Sequence, residues 1–244
     1  FAWKKDGNGN HWVGVACEGT GASLWWPNKD YLGDEPDSMR ITVTAPIGLM
    51  AVANGQMRSI KDIDTKWTQT EWFVSYPINN YNVTLNIADY VHFADTFQNA
   101  SGTHDLDYYV LRANEAKAKA QFAQVKPMMR AYEKHFGEYP FWRDGYALVE
   151  TSYLGMEHQG AIAYGNNYLP GYQGMDALNL KFDYIIIHET GHEWWGNSVS
   201  CSDHADMWIH EGFCTYSEAI YVEELWNKET ATRYLMNQRS NILN

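Results

Sequence analysis

His188 and His192 stand four residues apart in the run YIIIHETGHEWWGN, residues 184–197, and Glu189 follows the first of them. On a helix, residues i and i+4 share a face, so both imidazoles would point at one spot. Two neutral imidazoles converging in this way are a usual means of holding zinc on a helix. Glu189 cannot share that ligand position, but it can lean over a water at the metal and act as the general base of a metal-assisted hydrolysis. The plain alternative is a buried helix that happens to carry two histidines, because His-Glu-x-x-His also occurs by chance. A third ligand favours the metal. Zinc with one open position needs three protein ligands, and Glu211, in WIHEGFCTY, follows His192 after eighteen residues. The intervening NSVSCSDHAD reads as a loop that lets the chain turn back. His188, His192 and Glu211 are therefore expected to bind one Zn2+ per chain, with Glu189 as catalytic base. The apolar run Ile185–Ile187 would bury the helix and keep the site dry, a setting in which zinc strongly acidifies water. His204 and His210 are read as non-ligands, with His210 facing away. Glu218 or Glu193 is expected to orient a ligand imidazole from behind.

These side chains need elements to position them. Residues 1–112 are β-rich. Ile41, Val43 and Ala45 alternate within MRITVTAPIGLMAVANG, which ends in the turn signal Asn54-Gly55. KWTQTEWFVSYPI, YNVTLNIADYVHF and DLDYYVLRAN read as further strands, rich in branched and aromatic residues. An antiparallel β-sandwich is the natural arrangement. From Asn114 the pattern becomes helical. Asn114 can cap a helix whose face carries Phe122, Val125, Met129, Tyr132 and Phe136, with a kink at Pro127 and a stop at Gly137. YALVETS reads as a strand, a glycine-rich stretch over 155–174 leads to the histidine helix, and a further helix starts near Asp206. The expected division is a β-rich domain over 1–112 and a catalytic domain over 113–244, an α+β multidomain class.

The chain has 244 residues and a net charge of −12, so nucleic acid and anionic membranes, which demand basic patches, are not expected partners. Three cysteines, none in a Cys-x-x-Cys spacing, argue against a disulfide scaffold. No apolar run is long enough for a transmembrane segment. The chain opens as the interior of a β-domain and stops inside a helical pattern. It is expected to be a piece of a longer protein, so that the lack of a targeting segment leaves its localisation unknown.

HETGHEWWGN, the eighteen-residue gap and WIHEGF together resemble the gluzincin metallopeptidases of the aminopeptidase N type. LGMEHQGAIAYG, residues 154–165, is similar to that family's Gly-x-Met-Glu-Asn exopeptidase signature. CEGTGASLWWPNKD, residues 17–30, resembles the part of its first domain that ends in aromatic-Pro-x-x-Asp. The resemblance covers most of the chain. It implies an N-terminal β-sandwich domain followed by the N-terminal portion of a thermolysin-like α/β catalytic domain. It also implies a zinc aminopeptidase acting on peptides with a free N-terminus. His188, His192 and Glu211 would be the ligands and Glu189 the base. Glu157 would bind the substrate's α-amino group, Glu18 would be a second anchor from the β-domain, and the Gly155–Met156 backbone would lie beside the substrate as an edge strand.

Three departures accompany the resemblance. His158 stands where the signature has Asn, and His210 where the residue before the third ligand is usually Asn. The family's oxyanion-binding tyrosine falls further downstream than Tyr216, Tyr221 or Tyr234. A related zinc hydrolase, for instance of epoxides, would use the same ligands, and a non-catalytic module keeping the fold is the reading from outside enzymes. The amine-anchoring carboxylates favour the peptidase, and three ligands with a base at the right spacing argue against the inert module.

Overall fold

The structure is a computed structural model and describes residues 1–239. Its first strands are β1 (Ala2–Lys5), β2 (His11–Gly14), β3 (Met39–Pro46), β4 (Met50–Ala53), β5 (Gln56–Asp62), β6 (Trp67–Val74) and β7 (Leu85–Ala88). They form two antiparallel sheets, ordered β1-β2-β7-β4 and β3-β6-β5. Val43 and Ala45 of β3 meet Ala51 of β4 and Ile87 of β7 across the gap between them, as the alternation in β3 requires of an inward face. The Asn54-Gly55 turn between β4 and β5 is tight. Gly55 has φ +82, and a Cβ there would lie 2.2 Å from the carbonyl oxygen of Phe73, so only glycine fits.

The chain changes sheets at Asp89. β8 (Tyr90–Asn99) and β9 (Gly102–Leu111) pair with each other, and then β9 runs parallel to β10 (Tyr146–Glu150). β11 (Gly155–Met156) and β12 (Ile162–Tyr164) complete a five-stranded mixed sheet ordered β11-β12-β10-β9-β8. The expected division at 112/113 follows β9, and this sheet contains strands from both sides of it. β10 is buried along its whole length, as befits a central strand covered on both faces.

Helices α1 (Glu115–Gln121) and α2 (Val125–Phe136) are joined by a 3-10 turn over Phe122–Gln124. The α-helix is interrupted there, ahead of Pro127, which sits in the first turn of α2 where its missing N–H costs nothing. Asn114 does not cap α1 through its side chain, contrary to expectation. Its amide donates instead to the buried Glu150 Oε1 at 2.7 Å, beside the Leu111 N–H that donates to Oε2 of the same carboxylate. The expected apolar face is real: Phe122, Val125, Met129 and Tyr132 are buried, and Gly137 ends the helix at φ +90.

α3 (Tyr184–Gly191), α4 (Trp208–Leu225) and α5 (Lys228–Gln238) follow. α3 lies in the main core, where Ile185, Ile186 and Ile187 pack with Met128, Tyr132, Leu148 and Ile162. A helix enclosed on all sides is apolar all round except where chemistry needs otherwise. The α+β class expected is the one observed. Among the described residues no helix is long and apolar enough to cross a membrane.

Candidate metal centre

Asp183 sets the start of α3. Its Oδ1 accepts from the Ile185 N–H at 3.1 Å, and its Oδ2 accepts from Tyr164 OH at 2.6 Å and Gln121 Nε2 at 2.7 Å. The cap therefore also pins the helix to β12 and α1. Further along, Tyr132 OH donates to the Ile187 carbonyl at 2.9 Å. The helix can neither slide nor rotate without breaking buried hydrogen bonds.

His188 of this fixed helix and His192, the residue that caps its C-terminus, present their rings to one place, 5.0 Å apart between centroids. His188 Nδ1 lies 2.7 Å from Glu218 Oε1, and His192 Nδ1 lies 3.0 Å from the Trp195 carbonyl oxygen. Both partners are acceptors, so both Nδ1 atoms carry hydrogen. The two Nε2 atoms turn inward, 3.1 Å from Glu211 Oε2 and 3.4 Å from Glu211 Oε1. Neutral imidazoles would thus aim lone pairs at carboxylate oxygens, an arrangement that repels unless a cation sits among them. The three ligand atoms lie within 4.8 Å of one another, and two imidazoles with one carboxylate are a zinc donor set.

Glu189 is buried on the next position of the helix, and burial raises its carboxyl above the usual range. It rests against the backbone of β11. A Cβ on Gly155 would lie 2.4 Å from Glu189 Oε1, so the glycine is what lets the carboxylate occupy that place. Gly155 and Met156 form the outermost strand of the five-stranded sheet, with one edge unpaired.

Glu157 follows that strand and is buried. Oxygen or nitrogen atoms of Glu157, Glu189 and His192 also lie within 4.8 Å of one another. Glu18 reaches the same place from the loop after β2. Burial, then the negative charges of Glu157 and Glu211, push its carboxyl upward. Glu18, Glu157, Met207, Trp208, His210 and Glu211 line one cavity of about 290 Å3. The expected ligands, the base and both amine-anchor carboxylates are therefore grouped around one cleft, with Gly155 against Glu189.

Of the two carboxylates considered as supports for a ligand ring, Glu218 fills that place. Its other oxygen accepts from Tyr234 OH at 2.5 Å and Gln238 Nε2 at 2.8 Å. Glu193 does not; it turns to Tyr139 OH, the Gly160 N–H and Asn197 Nδ2. His210 is outside the ligand group, as is His204. It is not turned away from the cleft, however: it lines the cavity, and its Nε2 accepts from the Cys201 N–H at 2.9 Å. His158 is fully buried, and neither ring nitrogen has a hydrogen-bond partner among the described residues.

Sequence reasoning missed Asn197, Asn82 and Tyr81, all buried around Glu157. The signal available was polar composition where a strand or helix pattern calls for apolar residues, in NNYN before β7 and in the asparagine that ends HEWWGN.

Residues 120–244, slightly over half the chain, match the peptidase family M1 domain. Glutamyl aminopeptidase of Homo sapiens is 27% identical over 199 residues, covering 78% of this chain and 20% of that protein. Aminopeptidase N of Bos taurus is 26% identical over 213 residues, covering 80% and 21%. The chain thus spans about a fifth of the length of the curated relatives it matches. The crystal structure of an M1 zinc metallopeptidase from Deinococcus radiodurans superposes with a TM-score of 0.80 at 20% identity, over 99% of this chain and 52% of that one. A mutant of that protein has been solved with a bound Tyr-Ser-Ala substrate.

Proposed function

The chain belongs to peptidase family M1, and from that premise we propose that its protein is a zinc aminopeptidase releasing residues from the free N-terminus of peptides. One observation carries this reading: Glu157 and Glu18 line one cavity with Glu211, a member of the cluster it forms with His188 and His192. A hydrolase that ignored the substrate's N-terminus would have no use for buried negative charge beside its metal.

His188 Nε2, His192 Nε2 and one Glu211 oxygen would hold the zinc. When bound, zinc supplies Lewis acidity, which lowers the pKa of water and polarises a carbonyl. Glu189 takes the proton released by the attacking water at one carboxylate oxygen and returns it to the departing amine. Its burial in an apolar helix suits that exchange, since a carboxylate with a raised pKa can also act as an acid. Glu157 and Glu18 pair with the substrate ammonium. They fix which peptide bond lies over the base, because only the first carbonyl after the ammonium reaches it. The free edge of β11 offers main-chain groups to an extended substrate.

An acetylated N-terminus would leave the buried Glu157 carboxylate uncompensated, which is costly. The test is hydrolysis by the whole protein of a broad panel of aminoacyl arylamides, each beside its N-acetylated counterpart. Cleavage confined to the free-amine members is expected. Turnover of neither kind, or of both equally, would contradict the reading.

A further inference from the structure

We infer that Asn197 is a positioning residue that sets the separation between the metal ligands and the amine-binding carboxylate. The inference rests on the aminopeptidase reading and names what keeps its two halves in register. Asn197 is 6% exposed. Its backbone N–H donates to the carbonyl of the ligand His192 at 3.0 Å. Its Nδ2 donates to the carbonyl of Glu157 at 2.8 Å and to Glu193 Oε1 at 2.9 Å. Its Oδ1 accepts from Asn82 Nδ2 at 2.5 Å. A single residue therefore bonds to a metal ligand through its main chain and to the amine anchor's own peptide through its side chain.

The neighbouring bonds extend the same tie. Glu193 accepts from the Gly160 N–H at 3.1 and 3.2 Å, so residues 157–160 are held at both ends by the turn that follows α3. From the other side Asn54 Nδ2 donates to the Gln159 carbonyl at 2.9 Å, and Gln159 Nε2 donates to the Pro77 carbonyl at 3.0 Å. The β-sandwich thus supplies one wall of the clamp and α3 the other, with Asn197 joining them through Asn82.

β11 cannot do this alone. Its pairing with β12 ends at Met156, one residue short of Glu157. Glu157 is buried and Asn197 Nδ2 donates to its carbonyl, whereas Glu193 also has Tyr139 OH and the Gly160 N–H, so it is the Glu157 carbonyl that needs this donor. An asparagine serving only its own turn would need the backbone bond to His192 and no side-chain reach to other elements. Its Nδ2 bond to the Glu157 carbonyl and its Oδ1 bond from Asn82 reach two other segments, which is what a spacer requires. Misplacing a bound group by about an ångström can cost on the order of a hundredfold in rate.

The test separates spacing from general damage. Zinc-loaded whole protein, as wild type and Asn197→Ala, would be titrated with leucine hydroxamate and with its des-amino counterpart, isocaproyl hydroxamate, and its zinc content measured. In the wild type the free amine should strengthen binding. In Asn197→Ala that amine advantage should shrink about tenfold or more, with zinc content and isocaproyl hydroxamate affinity unchanged. An undiminished advantage, or equal weakening of both hydroxamates, overturns the inference. Should Asn197→Ala not fold, Asn82→Ala removes only the bond to Asn197 Oδ1 and is read in the same way. A reduced advantage supports the spacer and an unchanged one overturns it. A wild type with no amine advantage at all contradicts the aminopeptidase reading, and the inference with it.

Discussion

Glu218 Oε1 lies 2.7 Å from His188 Nδ1, on the side of the imidazole opposite the candidate metal position. Glu218 is itself fully buried and held by Tyr234 and Gln238 of α5. The ring is thus locked in the tautomer that frees Nε2 for a metal. Glu218→Gln should weaken zinc binding about 10- to 100-fold. Competition with a chelator of known affinity measures it, and an unchanged zinc affinity would remove Glu218 from the account.

Glu189→Gln should leave zinc in place and lower turnover about 100- to 10,000-fold, since it keeps the shape of the side chain and removes the base. Zinc content and arylamide hydrolysis on the same preparation separate the two effects. Retained activity would assign the base elsewhere.

Gly155→Ala places a methyl group where Glu189 Oε1 now sits, 2.4 Å away. The carboxylate would have to move, because the backbone of β11 is paired to β12. Turnover should fall at least tenfold, in keeping with the penalty for misplaced reacting groups, while zinc stays bound. Wild-type turnover in this variant would show that the close approach has no catalytic meaning.

Glu157→Ala should raise KM for aminoacyl arylamides, since a desolvated ion pair with the ammonium is lost, an effect of roughly 2 kcal/mol or more. Binding of des-amino inhibitors should not weaken. Parallel loss of both would point to collapse of the cleft.

Burial depresses the pKa of His158 to about 3, so the ring stays neutral in the folded protein. In the unfolded chain it takes a proton below about 6.5. The unfolded state therefore binds more protons between those values, and stability falls as pH is lowered through that window by up to about 1.4 kcal/mol per unit. His158→Asn should remove this contribution, so that wild type loses more stability than the variant between pH 7.5 and 5.5. Urea midpoints at both pH values measure it, and equal losses would contradict it.

The ligands and base were readable because their chemistry is local: i, i+4 geometry fixes two imidazoles on one helix, and a short loop returns Glu211 to them. The strand alternation around Val43 and Ala45 was readable for the same reason. What stayed hidden depends on distant partners. Asn114 looked like a helix cap, but Glu150 claims its amide from 36 positions away. β8 and β9 showed themselves as strands, yet nothing in them announced that they join β10 rather than the earlier sheets. Glu193 looked as well placed as Glu218 to support an imidazole until Tyr139 and Gly160 were seen to occupy it. The Asn82–Asn197 bond joins residues 115 apart, beyond any periodicity argument.

The most direct measurement is zinc per chain by elemental analysis, on wild type and on His188→Ala. The account predicts about one zinc per chain in the wild type, lost in the variant. A well-folded wild type that takes up no zinc on remetallation, or a His188→Ala protein that keeps its zinc in full, would contradict it.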